Sequence, residues 1–310
     1  MDERMLSGRT AVYMVSFAAM VYLSLIILGD LGSLMRISVP LPVLFVFLSL
    51  VMLGYTLRTL RWHLYSRKLG ADIKLSKNFM VFLSGLSMTL TPARMGEAIK
   101  CYVLKRISGV PISRTLPAVL VERLTDIVSL CMLALSGIFI KSFYALLAGA
   151  FCFFVLLILF AMRFSSAYRF LSKLPVIRRF VSQIAGIREG GVRVSNMRMV
   201  AVSVAIAVPA WLMECLGLWL VLSALGLDAP IETAIFIFSF SSVFGAVSML
   251  PGGLGAAEGS MTVLLVELLP ISLTTAVWVT IVTRLCTMWF GTGIGAASLL
   301  ATERLKRERH

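Results

Sequence analysis

Histidine is almost missing from this chain: His63 and His310 are the only two among 310 residues. A metal site is therefore not expected, because imidazole is a principal metal ligand. Charge is scarce as well. Asp, Glu, Lys and Arg make up 14% of the residues, against roughly 25% in a soluble domain. The longest polar stretch, roughly 164–197, is too short to form a soluble domain. The five cysteines (Cys101, Cys131, Cys152, Cys215, Cys286) lie scattered in apolar segments without a CxxC pair. They read as small packing residues, not as ligands or disulfide partners. No GxxxxGK[ST] loop exists, so ATP hydrolysis is not expected; "PGGLGAAEG" is glycine-rich but lacks that ending.

What is abundant is apolar sequence. Hydrophobic residues account for 59%, and runs of about 20 residues, the length a membrane-crossing helix needs, recur throughout. The first run, from near Thr10, has no small-residue cleavage site and is followed by another long run. It reads as a span, not a signal peptide. The sequence predicts spans at 10–29, 41–60, 116–140, 143–162, 199–222 and 272–300. Two apolar segments differ. One, 78–106, is broken at Thr91-Pro92; the other, 232–269, is broken at Pro251-Gly252-Gly253. Each half is short for a crossing. A break frees backbone groups that lipid cannot satisfy, so it must be buried in protein or line a wet cavity. Both segments are expected to be re-entrant hairpins.

The net charge of +14 would suggest nucleic acid in a soluble protein. Here membrane topology accounts for it better. With a cytoplasmic N-terminus and hairpins that return to their own side, 22 basic residues fall in cytoplasmic segments, Arg61 and eight between Arg163 and Arg198 among them. The outer loops keep only Arg36 and Lys141. That bias puts both termini inside and the chain in the cell membrane. Five basic residues remain at membrane depth: Arg58, Arg94, Lys100, Arg123 and Arg284. Arg58 lies one turn from the cytoplasmic end of its span and is read as snorkelling. The basic loops and the C-terminal "RLKRERH" read as topology signals that also touch anionic headgroups.

The halves of the chain echo each other. "LGAD" follows Trp62 and "LGLD" follows Trp219. Pro92 and Gly96 match Pro251 and Gly255 in order and spacing, and a carboxylate comes next in each, Glu97 and Glu258. Val121-x-Arg123-Leu124 matches Val282-x-Arg284-Leu285. The expected fold is an all-α polytopic membrane protein of two inverted repeats, 1–142 and 143–310. Each repeat holds three transmembrane helices and one re-entrant helical hairpin. In this design broken helices meet near the bilayer midplane and bind substrate there.

The stretch "LTPARMGEAIK" (90–100) is then one half of a binding site. Pro92 stops one helix, and the next, expected to begin near Arg94, offers free N–H groups and a positive dipole end. Arg94 adds a planar fork suited to phosphate or another anion. Arg94, Glu97 and Lys100 recur every third residue as a polar stripe, with Lys100 equally readable as snorkelling. Glu122 and Asp126 share a face of one span, with Arg123 about 100° round. They read either as an ion pair that sets helix packing or as a cavity wall. Arg284 lies well inside the last span, and Glu258 is the partner expected for it or for Arg123. Glu214 reads more weakly, as a carboxylate bonded to a neighbouring hydroxyl. Gly252, Gly253 and Gly255 are expected to let backbones approach closely. An ionisable group at mid-membrane costs at least ~2.5–3.5 kcal/mol, so all these charges need partners.

"RTLRWHLYSRKLG", "LTPARMGEAIK", "ERLTDIV" and "PGGLGAAEG" resemble the lysylphosphatidylglycerol synthase transmembrane family. The resemblance runs over essentially the whole chain. It implies a polytopic protein that moves lipids between leaflets, with aminoacylated phosphatidylglycerol or polyprenyl-phosphate sugars as cargos. A soluble aminoacyl-transferase domain is not seen in this sequence, so lysyl-lipid synthesis is not expected. The expectation is a flippase without chemistry or cofactor, for a phosphate-headed lipid and foremost a polyprenyl-phosphate sugar. Arg94, Arg123 and Arg284 would meet the headgroup, with Glu97, Asp126 and Glu258 as counter-charges or proton carriers. An intramembrane lipid-phosphate enzyme and a small-anion or solute transporter remain the alternatives.

Overall fold

A computed structural model describes residues 38–91, 96–140 and 196–307, with scattered positions between 143 and 194. The described residues are helical, without strand. The expected spans 10–29 and 143–162 lie wholly or mostly outside them. α1 (Leu41–Lys68) leads to a two-helix unit, α2 (Leu75–Leu86) and α3 (Ile99–Ser108), then to α4 (Ile112–Ala134) with a 3₁₀ extension, Leu135–Phe139. The second half runs α5 (Met197–Ala224), α6 (Ile231–Val247), a 3₁₀ turn at Pro251–Gly253, and α7 (Ala256–Leu268). It closes with α8 (Leu273–Arg284), a π turn at Leu285–Trp289, and α9 (Phe290–Arg307).

Leu41–Lys68, Met197–Ala224 and the continuous stretch Leu273–Thr302 are long and apolar enough to cross a membrane. At 1.5 Å per residue, the 28 residues of α1 reach about 42 Å, beyond the ~30 Å hydrocarbon core. Large apolar side chains such as Leu41, Phe45, Phe139, Val263 and Leu300 stand exposed on the outside. The apolar surface of a membrane helix bundle has this form, and a soluble protein would bury it.

Local chemistry ends the two long helices alike. In α1 the N–H groups of Gly70 and Ala71 donate to Arg67 O (3.0 Å) and Ser66 O (2.9 Å). In α5 those of Gly226 and Leu227 donate to Ser223 O (3.0 Å) and Leu222 O (3.1 Å). Each is a Schellman cap, with glycine in the left-handed region. "LGAD" and "LGLD" therefore encode the same stop.

The helix starts also recur at a nearly constant offset. α1 and α5 begin 156 residues apart and end 156 apart; α2 and α6 begin 156 apart; α4 and α8 begin 161 apart. α1 and α5 lie against each other in antiparallel sense. A Cβ at Gly217 would collide with the Phe47 ring, one at Gly54 would lie 2.9 Å from Ala210 O, and the Tyr65 hydroxyl donates to Ser203 Oγ at 2.6 Å. Each helix pair leans on the other half. Ser298 Oγ of α9 donates to Met80 O of α2 (2.9 Å), and Ser136 Oγ, just past α4, donates to Glu232 O of α6 (3.2 Å).

Both expected breaks are present as interruptions between helices. α2 ends at Leu86, and α3 begins only at Ile99, not near Arg94. The cause is a tight turn: the Gly96 N–H donates to Thr91 Oγ1 (2.6 Å), and a Cβ on Gly96 would lie 2.6 Å from both Met88 Cβ and Thr91 Cγ2. Pro92 and Arg94 fall outside the described residues. In the second break Gly252, Gly253 and Gly255 all take positive φ, a region that a side chain at these positions would strain.

Candidate functional site

Among the described residues, two groups of buried charges occupy the interior. The first centres on α4. Glu122 and Asp126, one helical turn apart, both face Arg61 of α1, with Arg61 Nη2 3.2 Å from Glu122 Oε1 and Nη1 2.7 Å from Asp126 Oδ1. Lys100 of α3 holds the other oxygen of Glu122, and its Nζ sits 4.5 Å from the Trp62 ring centroid. Arg123 grips Glu97 with both terminal nitrogens (3.2 and 3.1 Å) and approaches Asp126 Oδ2 at 3.0 Å. Three cations thus face three carboxylates. The fork geometry of arginine suits such paired contacts. Arg61 and Glu122 are wholly buried, whereas the Arg123 side chain keeps 21% of its surface exposed.

The second group lines an open cleft between α1, α5 and the α8–α9 joint. Its wall includes Tyr55, Arg58, Leu86, Trp211, Glu214, Phe238, Ser242, Arg284, Thr287, Met288 and Gly291. Arg58 Nη2 donates to Glu214 Oε1 at 2.6 Å, and its guanidinium carbon lies 3.9 Å from the Trp211 ring centroid. Stacking on an aromatic face adds cation–π attraction to the ion pair. Arg284 Nε donates to Glu258 Oε1 (2.6 Å), and Nη2 donates to Gly252 O (2.9 Å). The second break thus hands a freed carbonyl to this arginine. Glu258 Oε2 in turn accepts the Gly255 N–H at 2.7 Å, capping the start of α7.

The π turn bears on the cleft directly. A wider turn disrupts the regular ladder, and such bulges are common at functional sites. Here Thr287 O accepts from the Tyr55 hydroxyl at 2.9 Å. Gly291 leaves room for that hydroxyl, which a Cβ there would strike.

Of the expected site residues, Glu97, Lys100, Glu122, Arg123 and Asp126 are brought together around α4. Glu258, Arg284 and Gly252 are brought together at the cleft. Arg123 and Arg284 therefore do not share one cavity wall. Lys100 is buried, not snorkelling, because Glu122 faces it inside the bundle. Three readings of the sequence need correction. Arg58 does not snorkel: α1 continues to Lys68, which puts Arg58 three turns before its end and turns it inward to Glu214. Arg61 is no loop residue but a buried member of α1. Glu214 pairs with an arginine, not a hydroxyl. Arg58 and Glu214 each stand 11 residues before the leucine of the matching LGxD stop, the signal that could have found them. Cys101, Cys131, Cys215 and Cys286 are buried, as the packing reading expected.

The chain also has relatives. It is 29% identical over 262 residues to a UPF0104 membrane protein of Methanothermobacter thermautotrophicus, covering 77% of each chain. A second UPF0104 membrane protein of that organism is 26% identical over 301 residues, covering 87% of this chain and 88% of the other. A UPF0104 membrane protein of Methanocaldococcus jannaschii is 23% identical over 186 residues, 57% of this chain and 77% of that one. The family model described as the lysylphosphatidylglycerol synthase TM region matches residues 11–295. With apolar helices of spanning length around a charged interior, this chain is a membrane protein that belongs to the lysylphosphatidylglycerol synthase transmembrane-region family.

Proposed function

We propose that this protein is a flippase that moves a phosphate-headed lipid, foremost a polyprenyl-phosphate sugar, across the cell membrane without altering it. The observation that carries the reading is the cleft: two arginines, Arg58 and Arg284, line one open space at the meeting of the two halves. Each is held by a carboxylate that a phosphate could replace. The cleft encloses only about 40 Å³ in this structure, well under the ~300–1,000 Å³ usual for small-molecule sites. In this reading the halves must part to admit a headgroup, with the lipid tail left outside among the exposed apolar side chains.

The near-constant helix offsets and the antiparallel α1–α5 contact support the inverted-repeat reading. Re-entrant character for α6–α7 is supported by the second break, whose Gly252 carbonyl accepts from the buried Arg284. In this reading the termini are cytoplasmic and the halves rock about the α1–α5 crossing. Three cations against three carboxylates keep the interior around α4 neutral while no lipid is bound. Arg94, in the sequence of the first break, remains a proposed headgroup ligand.

The test is transport in sealed proteoliposomes holding farnesyl phosphate as the probe lipid, with inorganic phosphate uptake as the parallel arm. Faster transbilayer movement of the lipid that is weakened in Arg284→Gln at low lipid concentration supports the reading. Uptake of inorganic phosphate without lipid movement would make the protein a solute transporter instead. Chemical conversion of the lipid, read by mass spectrometry, would make it an enzyme.

A further inference from the structure

The cleft is built evenly by the two halves, except on one side. Tyr55 and Trp211 stand 156 residues apart, as do Arg58 and Glu214, and all four line it. The third spans contribute unequally. Arg284 and Thr287 of the second half reach the cleft, while Arg123 and Asp126, the positions 161 residues earlier, do not. Trp211 stands between. Its Nε1 donates to Asp126 Oδ1 at 3.3 Å, and its ring carries the Arg58 guanidinium. On the open side the corresponding contact is made by Tyr55, whose hydroxyl donates to Thr287 O at 2.9 Å. The same pair of positions is thus bonded twice, once with the third span in the cleft and once with it shut out. The halves also differ locally: the Leu285–Trp289 π turn has regular α-helix at the matching 124–128 stretch.

We infer that Arg58 is a central anion ligand shared by two alternate seats. One seat is completed by Arg284 and is open in this structure. The other is completed by Arg123 and is closed by the Trp211–Asp126 contact. The ligand is a phosphate monoester headgroup, passed from one arginine to the other while Arg58 keeps hold of it. The arginine out of use rests on its own carboxylate, Arg284 on Glu258 and Arg123 on Glu97. Neither is left as a bare buried charge, which would cost several kcal/mol. Glu214 serves Arg58 in the same way when the cleft is empty. This inference rests on the transport reading and names the path within it.

The experiment is saturation kinetics of farnesyl phosphate transport in proteoliposomes, beside direct binding of the same probe and of inorganic phosphate in nanodiscs. Arg284→Gln and Arg58→Gln are expected to raise the half-saturating concentration roughly tenfold, equivalent to about 1.4 kcal/mol of binding. Glu97→Gln combined with Arg123→Gln removes the closed-side pair without leaving a lone charge between them. That double variant is expected to cut the maximal rate roughly tenfold and to shift half-saturation far less. Trp211→Phe, which keeps the ring and loses the bond to Asp126, is expected to change the maximal rate in a protein that still elutes as a folded species. The two-seat path is overturned if the double variant transports like the wild type, or if it raises half-saturation as Arg284→Gln does. A wild-type protein that binds farnesyl phosphate but does not move it would instead overturn transport itself. Binding of inorganic phosphate alone would assign the site to the free ion.

Discussion

Replacing Arg61 by methionine tests whether the buried charges around α4 form one neutral unit. Arg61 is wholly buried and touches both Glu122 (3.2 Å) and Asp126 (2.7 Å). Methionine keeps much of the length and apolar stem but removes one of three cations. Lys100 still holds Glu122, and Arg123 still approaches Asp126. The cluster nonetheless carries an uncompensated negative charge in a site closed to water. Breaking a buried pair from one side costs about 3–5 kcal/mol, or roughly two to three and a half decades in the folding equilibrium. Combining Arg61→Met with Asp126→Asn restores the balance. Lys100 then still faces Glu122 and Arg123 still faces Glu97, so the double variant is expected to recover much of the loss. The assay is reversible unfolding in mild detergent followed by helical circular dichroism, completed as a double-mutant cycle. A single variant within about 1 kcal/mol of the wild type would refute the reasoning. So would a double variant less stable than the sum of its two singles.

Two further outcomes follow from individual contacts. Gly217→Ala drives a Cβ into the Phe47 ring and is expected to cost about 1–3 kcal/mol as overpacking, with partial rescue by Phe47→Leu in the same unfolding assay. Glu258→Gln takes the charge from Arg284 and is expected to cost about 1.5–3 kcal/mol. Glu258→Ala should cost more, because the Gly255 N–H loses its acceptor as well, and equal stability of these two variants would show that the cap contributes nothing.

Several features were legible without coordinates because they depend on local chemistry. Helix ends at "LGAD" and "LGLD" follow from a leucine–glycine stop that needs a left-handed residue. The interruptions near residues 91–96 and 251–255 follow from proline and glycine in otherwise apolar helices. Even the Glu258–Arg284 and Glu97–Arg123 pairs were within reach, since a buried charge requires an opposite one and the two halves repeat the same spacing. The depth of a charge was not legible. Arg58 and Arg61 sit toward the end of an apolar run, where a long side chain can usually reach water. Only the packing of α1 on α5 and α4 turns them inward, toward carboxylates 156 and 61 residues away. The arginine partner of Glu214 and the place of Trp211 likewise come only from the packing of α5 on α1. Sequence alone determined where the apolar segments break and which glycines end the two long helices, because those choices are made within a few residues. Which charges meet, and that Arg284 opens on the cleft while Arg123 lies behind Trp211, was decided by tertiary contacts between distant helices, where one-turn rotations change every partner.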